Sequence, residues 1–337
     1  MNILITSVGR RSYLVTYFRD ALRKASVQGE IHVSNSSPIS PAFRLADKTV
    51  VTPIVYSDDY IPFLLEYCQV NNIDAVISLF DVDLPVLAKN RRKFEEINVK
   101  LVVSETQVVD ICNDKWKSYQ FLKGIGINTP ESWLELEDVL YAIKGKKASW
   151  PLIVKPRWGI GSIGIHEVID ENELRTCYKI VQREINDTHL KYESAVSSQR
   201  VVIQEYIEGE EYGLDVINDL EGNYRTTIVK RKYGMRSGET DCAKIVEAPD
   251  IVEISKKIAC RFRHYGNLDV DVIKKDSKFF VIDMNARFGG GYPFSHIAGV
   301  DLPLAIVMWL QGAEVKDDIL KAENDVFAQK DISIIKY

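Results

Sequence analysis

The sequence predicts an α/β protein in which an N-terminal parallel-sheet domain precedes a larger α+β domain. Three features lead to this reading. Apolar strands alternate with amphipathic helices through residues 2–103. A glycine-rich stretch at 159–164 leads into a strand rather than a helix. Near residues 268–287, two strands form a hairpin carrying carboxylate, amide and guanidinium side chains at its far end. Strand–helix alternation implies a parallel sheet covered on both faces, because each crossover lays a helix across the sheet.

In chain order, residues 2–6 are an apolar strand that stops at Ser7-Val8-Gly9. Leu14, Tyr17, Phe18, Ala21 and Leu22 then recur at helical spacing. Strands follow at 31–34 and 49–52, a helix at 60–70, a strand at 75–79, a helix at 88–96 and a strand at 100–103. The first domain is expected to end at residue 107. Its loop 7–11 lies between a strand and a helix N-terminus, a place suited to an anion. A solvated turn is the competing reading, and the loop lacks the three glycines of a dinucleotide fingerprint. Asp81 and Asp83 follow the 75–79 strand, at the strand ends where open α/β sheets tend to place ligands.

Residues 108–122 read as one helix containing Asp114-Lys115, and another helix is expected around 135–145. Lys155 then precedes Gly159, Gly161, Ser162 and Gly164. These glycines spell G-x-G-x-x-G, but the following residues, 165–169, alternate like a strand, and a helix starts only near Glu171. A Rossmann fingerprint must open a helix. The glycines are therefore expected at the tip of a β-hairpin, a flap whose N–H groups can close over phosphates. Residues 186–199 read as a surface loop or frayed helix. A strand at 200–204 reaches a hinge at Gln204-Glu205-Tyr206-Ile207, and Glu211 lies just beyond. Lys230, Arg231, Lys232 and Arg236 follow a strand at 224–229, with another strand at 243–246 and a helix at 251–264. In the 268–287 hairpin, pairing brings Asp271 towards Asp283, while Asp283, Asn285 and Arg287 are spaced to share a face. Two carboxylates and an amide oxygen suit Mg²⁺ beside phosphates. Gly289-Gly290-Gly291 permits close backbone approach to a ligand. A closing helix is expected at 305–310.

A chain of 337 residues suits two or three domains. Hydrophobic residues at 46% and charged residues at 27% describe a chain with ample core. A net charge of −5 argues against broad nucleic-acid binding. The five cysteines lack CxxC spacing and read as reduced thiols, without a zinc site or disulfide framework. No signal peptide or membrane-length apolar run is apparent, so a cytoplasmic protein without membrane partners is expected.

Taken in order, the Lys115 helix, Lys155 and its flap, the 204–207 hinge, Glu211, Asp271 and Asp283-x-Asn285-x-Arg287 resemble the ATP-grasp superfamily over residues 108–310. Phe288-Gly289-Gly290-Gly291 after Asn-Ala-Arg is most similar to the branch of the carbamoyl-phosphate synthase large chain and small amino-acid ligases. The resemblance implies a pre-ATP-grasp domain at 1–107 and a two-lobed α+β ATP-grasp domain at 108–337. The latter would comprise a lid lobe at 127–203, with its flap at 157–164, and a C-terminal lobe at 204–337.

It further implies that Lys115 and Lys155 contact ATP phosphates beneath Gly159, Gly161, Ser162 and Gly164. Gln204, Glu205, Tyr206 and Ile207 would line the adenine pocket, and Glu211 would bind ribose. Asp271, Asp283 and Asn285 would hold two Mg²⁺, with Mn²⁺ as the alternative ion. Arg287, with Lys155 and Arg231, would act on the phosphoryl group. Arg236, Asp241, Gly290 and His296 are the substrate candidates. Asp283 stands where many relatives carry Glu, and Ala286 where many carry Pro; the shorter Asp can still ligate a metal.

The implied activity is ADP-forming ligation of a small carboxylate to an amine through an acyl phosphate. Carboxyphosphate chemistry on bicarbonate and a non-catalytic nucleotide-binding module are the alternatives. A dehydrogenase is disfavoured by the missing fingerprint. The acid and amine are not identified, and oligomeric state is open, a homodimer being the assembly considered.

Overall fold

The computed structural model describes residues 1–9, 11–159, 163–332, 334 and 336. The described residues form three sheets. The first is parallel, ordered β3-β2-β1-β4-β5, from β1 (Asn2–Thr6), β2 (Ile31–Asn35), β3 (Lys48–Val51), β4 (Ile73–Ser78) and β5 (Lys100–Val102). Its central strand is apolar because both faces are covered. Ile3 and Ile5 pack with the helix Tyr13–Lys24, while Leu4 packs with Tyr60 and Leu64 of the helix Tyr60–Val70. The Tyr13–Lys24 helix also packs on the closing helix Leu302–Leu310, joining the two ends of the chain in one core.

The second sheet is antiparallel, ordered β6-β9-β7-β8, from β6 (Ser132–Trp133), β7 (Leu152–Pro156), β8 (His166–Val168) and β9 (Val201–Glu205). The pairs Leu152–Val168 and Val154–His166 form the expected flap hairpin, and the following helix is Glu171–Asp187. Gly161 and Ser162 lie outside the described residues. The third sheet is antiparallel, ordered β14-β13-β10-β11-β12-β15. It comprises β10 (Glu210–Asn218), β11 (Tyr224–Arg236), β12 (Glu239–Ile245), β13 (Gly266–Lys275), β14 (Lys278–Asn285) and β15 (Phe327–Gln329). One face buries Leu214, Val216, Leu268, Val270 and Met284 against Ile251, Ile258 and Phe262 of the helix Pro249–Phe262. The other face carries the polar residues discussed below.

Two expected helices are divided. The 108–122 helix is two, Thr106–Asn113 and Lys115–Gly124, because Asp114 leaves helical geometry and caps the second. Its side chain accepts from the N–H groups of Trp116 and Lys117, and Arg157 binds both carboxylate oxygens at 2.8 Å. The helix expected at 88–96 is likewise two, Asp83–Lys89 and Arg91–Glu96. Strand β11 is longer than expected and takes in all four basic residues after Val229. No helix among the described residues is long and apolar enough to cross a membrane.

Candidate functional site

A cavity of about 910 Å³ lies between the second and third sheets and reaches the loops after β1 and β4. It falls within the size range of small-molecule sites. Its floor depends on a bulge in β14. Asp271 faces Asp283 and Val272 faces Val281, so Ile282 is the extra residue on that strand. Phe279 and Val281 face the core, while beyond the bulge Met284 and Ala286 do so. The extra residue therefore turns Asp283 and Asn285 to the cavity side, beside Asp269 and Asp271.

Acids and bases alternate along this floor. Lys115 Nζ lies 3.3 Å from Asp283 and donates to the Gly159 carbonyl at 3.1 Å. Asn285 donates its amide to Asp283 at 3.1 Å. Lys232 pairs with Asp271 at 2.6 Å. Arg287 bridges Asp269 at 2.7 Å and Asp81 at 3.0 Å. Burial pushes the Asp283 carboxyl upward, but Lys115 and Lys155 outweigh it and hold the acid below its ordinary range. Asp271 goes the other way: burial and nearby Asp269 outweigh Lys232. Burial alone would lower Arg287, yet Asp81 and Asp269 hold it above its ordinary value.

Lys155 differs from its neighbours. It is 8% exposed, and its ammonium donates to the neutral Gln204 Oε1 at 2.7 Å. Burial, with Lys115 beside it, lowers its pKa to about 8. A buried cation without an ion-pair partner invites an anion.

Asp271, Asp283 and the Asn285 carbonyl oxygen supply hard ligands on adjacent strands, and lysines now neutralise both acids. The described residues contain no group of three His, Cys, Asp or Glu side chains placed to hold a metal ion. This donor set fits Mg²⁺ that also takes phosphate oxygens and water, rather than a protein-only cage.

At the other end, Asp83 is fully buried and accepts from Ser7 (2.9 Å), Tyr60 (3.2 Å) and Ser78 (3.3 Å) hydroxyls. It secures the 7–9 loop, where Ser7 has φ +49°, and does not line the cavity; Asp81 does. Burial raises the Asp83 carboxyl. Arg11, considered for an anion, donates to the Leu79 carbonyl at 2.5 Å and lies 3.5 Å from Glu239.

Lys115, Lys155, Gly159, Gln204, Glu205, Tyr206, Ile207, Glu211, Asp271, Asp283, Asn285, Arg287 and Gly290 all line the cavity. Gly164 does not, although Ile163 and Ile165 do. Arg231 is a correction: strand alternation turns it away, against Glu210 at 2.5 Å, and presents Lys232 instead. Arg236 and Asp241 pair with each other outside the cavity. His296 stacks on Tyr17 at 3.6 Å and also lies outside it. The glycines also make room for protein side chains. A Cβ on Gly289 would meet Asp269 at 2.1 Å and one on Gly290 would meet Glu239 at 2.9 Å, so these glycines admit protein carboxylates.

Asp269 and Glu239 are cavity residues that the sequence reading missed, and of the four basic residues after Val229 it is Lys232 that lines the cavity. Asp269 had a usable signal, since it is two residues before Asp271 and shares its face. Glu239 had none.

Residues 112–291 match a family model described as an ATP-grasp domain, and residues 3–102 match one described as a PylC-like N-terminal domain. The carbamoyl phosphate synthase large chain of Clostridium beijerinckii is 24% identical over 329 residues, covering 94% of this chain and 28% of that protein. This chain thus spans just over a quarter of that relative's length. Among solved structures, the biotin carboxylase domain of Hydrogenobacter thermophilus 2-oxoglutarate carboxylase, with MgADP and bicarbonate, superposes with a TM-score of 0.72 at 19% identity. The match covers 95% of this chain and 72% of that one. The L-amino acid ligase of Bacillus licheniformis gives 0.63 at 19% identity, covering 92% and 73%.

Proposed function

Because the chain belongs to the ATP-grasp family, we propose that it is an ADP-forming ligase joining a small carboxylate to an amine. The observation that carries this reading is Lys155, a buried ammonium on the first strand of the flap hairpin bonded to a neutral amide. In the proposed site it meets an ATP phosphate, together with Lys115, while Gly159 and the flap cover them. The 204–207 hinge receives adenine and Glu211 the ribose. Asp271, Asp283 and Asn285 would hold one or two Mg²⁺, which supply positive charge beside the phosphate oxygens.

The substrate carboxylate oxygen attacks the γ-phosphorus, the bond to the ADP oxygen breaks, and an acyl phosphate forms. An amine nitrogen then attacks the acyl carbon and phosphate leaves. The side chains position the reactants and neutralise charge, and Arg287, which Asp81 and Asp269 hold, would stabilise the transferring group. The similarity to the L-amino acid ligase favours amino acids as the first acids to test. The carbamoyl phosphate synthase relative favours a second reading, carboxyphosphate formation from bicarbonate.

Asp283→Ala is expected to abolish ADP formation while circular dichroism and the unfolding midpoint stay near wild type. Near-normal turnover in that variant would sink the assignment. Supplying either pooled amino acids or bicarbonate to the wild type, and recording which one drives ADP release, separates the two readings.

A further inference from the structure

The cavity has a second polar corner, away from the hinge. β12 lies two strands beyond β10 in the third sheet, about 10 Å across it. Its first residue, Glu239, lines the cavity. Three distant segments meet this acid. The loop after β1 brings Arg11, the glycine stretch brings Gly290, and the residue after β15 is Lys330. A Cβ on Gly290 would meet the Glu239 side chain at 2.9 Å, so the acid stands at this wall because residue 290 is glycine. Phe80 and Met235 give the same cavity apolar lining, suited to a carbon skeleton.

The two cations beside Glu239 are fixed by backbone carbonyls. Arg11 donates to Leu79 at 2.5 Å, and Lys330 donates to Gly290 at 2.7 Å. Neither comes as close to Glu239: the separations are 3.5 Å and 3.6 Å, longer than an ordinary hydrogen bond. An ionised carboxylate offers about four acceptor sites and no donor, so Glu239 keeps acceptor capacity towards the cavity. Asp81 has the same unspent capacity. It is 6% exposed, its Oδ2 accepts from Arg287, and its Oδ1 has no hydrogen-bond partner among the described residues. Leu79, which holds Arg11, is two residues before Asp81, a span of at most about 7 Å. One short loop therefore links Glu239 to Arg287, through Arg11 on one side and Asp81 on the other. What this corner lacks is a donor.

We infer that Glu239 receives an ammonium group carried by the acid substrate, so that the enzyme selects an amino acid over an uncharged acid. The inference rests on the ligase reading above. The ammonium donates to Glu239, and Asp81 adds negative potential. The carboxylate of the same molecule, the group to be phosphorylated, then lies towards Arg287. Arg11 and Lys330 hold the Glu239 side chain from either side and leave its acceptors to the ligand. A hydroxyl in place of the ammonium brings one donor and no charge, and so satisfies this corner less well. No bond forms or breaks here; the corner chooses and orients the acid.

The test compares acids that differ only at this group. Amino acids, and the 2-hydroxy acids of the same skeletons, are each supplied with ATP, Mg²⁺ and hydroxylamine, which intercepts acyl phosphates. The wild type is expected to release ADP with amino acids and to prefer them by about ten- to a hundredfold in kcat/KM. Glu239→Gln should raise the amino-acid KM by a similar factor and bring that preference close to one. MgADP binding by equilibrium dialysis should stay unchanged, which also reports that the variant is folded. Gly290→Ala, whose Cβ takes the space of Glu239, should act in the same direction, and Glu239→Asp should keep part of the preference. An unchanged amino-acid KM and preference in Glu239→Gln would overturn the inference. So would an equal loss towards both kinds of acid, which marks Glu239 as a counterion for Arg11 and Lys330. Wild-type ADP release with hydroxy acids or bicarbonate, but not with amino acids, overturns the inference and leaves the ligase reading standing. ADP release with none of these acids overturns that reading, and this inference with it.

Discussion

Two lysines two residues apart on β11 have opposite surroundings. Lys230 is fully buried with Asp215, which also accepts from Ser295 at 2.5 Å and Asn267 at 3.0 Å. Both oxygens of that carboxylate are bonded within the protein. Lys232 pairs with Asp271, whose side chain is 31% exposed to the cavity and lies opposite Asp283. The first pair is sealed and complete. The second lies among other acids, and burial, with Asp269 beside it, keeps the Asp271 carboxyl above its ordinary range despite the lysine. The strand places both lysines on one face, so depth alone separates a structural ion pair from one open to a ligand.

Breaking each pair tests that distinction. Asp215→Ala leaves Lys230 charged and buried without a counterion, and is expected to cost about 3–5 kcal/mol of stability. Asp271→Ala leaves Lys232 beside a solvated cavity, so its loss should be much smaller, while ATP turnover collapses. Urea unfolding and ADP release measured on both variants give the answer. Equal destabilisation by the two substitutions would remove the distinction.

Asp81 and Asp83 repeat the contrast within one loop, and they mark where the sequence stops being legible. Both follow a strand end, a position that points to a ligand-facing loop and no further. Only packing shows that Asp83 turns inward to three hydroxyls while Asp81 meets Arg287 from the far end of the chain. Strands, flap and hinge were readable because apolar alternation and glycine placement are local. That Asp271 and Asp283 share a hairpin was readable from its two apolar strands and short turn. Their facing depends on the Ile282 bulge, which shifts the register by one residue and has no signal in the local pattern. Arg231 was misplaced because its side of β11 depends on how that long strand meets its neighbours. Glu239 was invisible because nothing local brings β12 to the Gly290 backbone. Asp83→Leu is expected to lower stability by about 1–3 kcal/mol by stranding buried hydroxyls. Asp81→Asn should lower stability less and turnover more, since Arg287 keeps Asp269. Thermal unfolding and ATP turnover on the pair would expose a mistaken assignment if the order reversed.

Lys155 completes the series, with neither a sealed partner like Lys230 nor an acid like Lys232. Its pKa near 8 is depressed by burial, so between that pH and the ordinary lysine range the unfolded chain binds more protons than the folded one. Its charge therefore opposes folding below about pH 8, and this cost is relieved as pH rises through the folded value. Nucleotide binding follows the reverse course. An ATP phosphate requires the ammonium, and above pH 8 that proton must be taken up on binding. The KM for ATP is expected to rise as pH is raised from 7 to 9, approaching about tenfold per unit at the alkaline end. Lys155→Arg, which keeps its charge throughout, should flatten that rise if it binds ATP. Steady-state kinetics at saturating Mg²⁺ measure both profiles. Parallel profiles for wild type and Lys155→Arg would assign the pH dependence to another group and leave Lys155 no different in kind from Lys232.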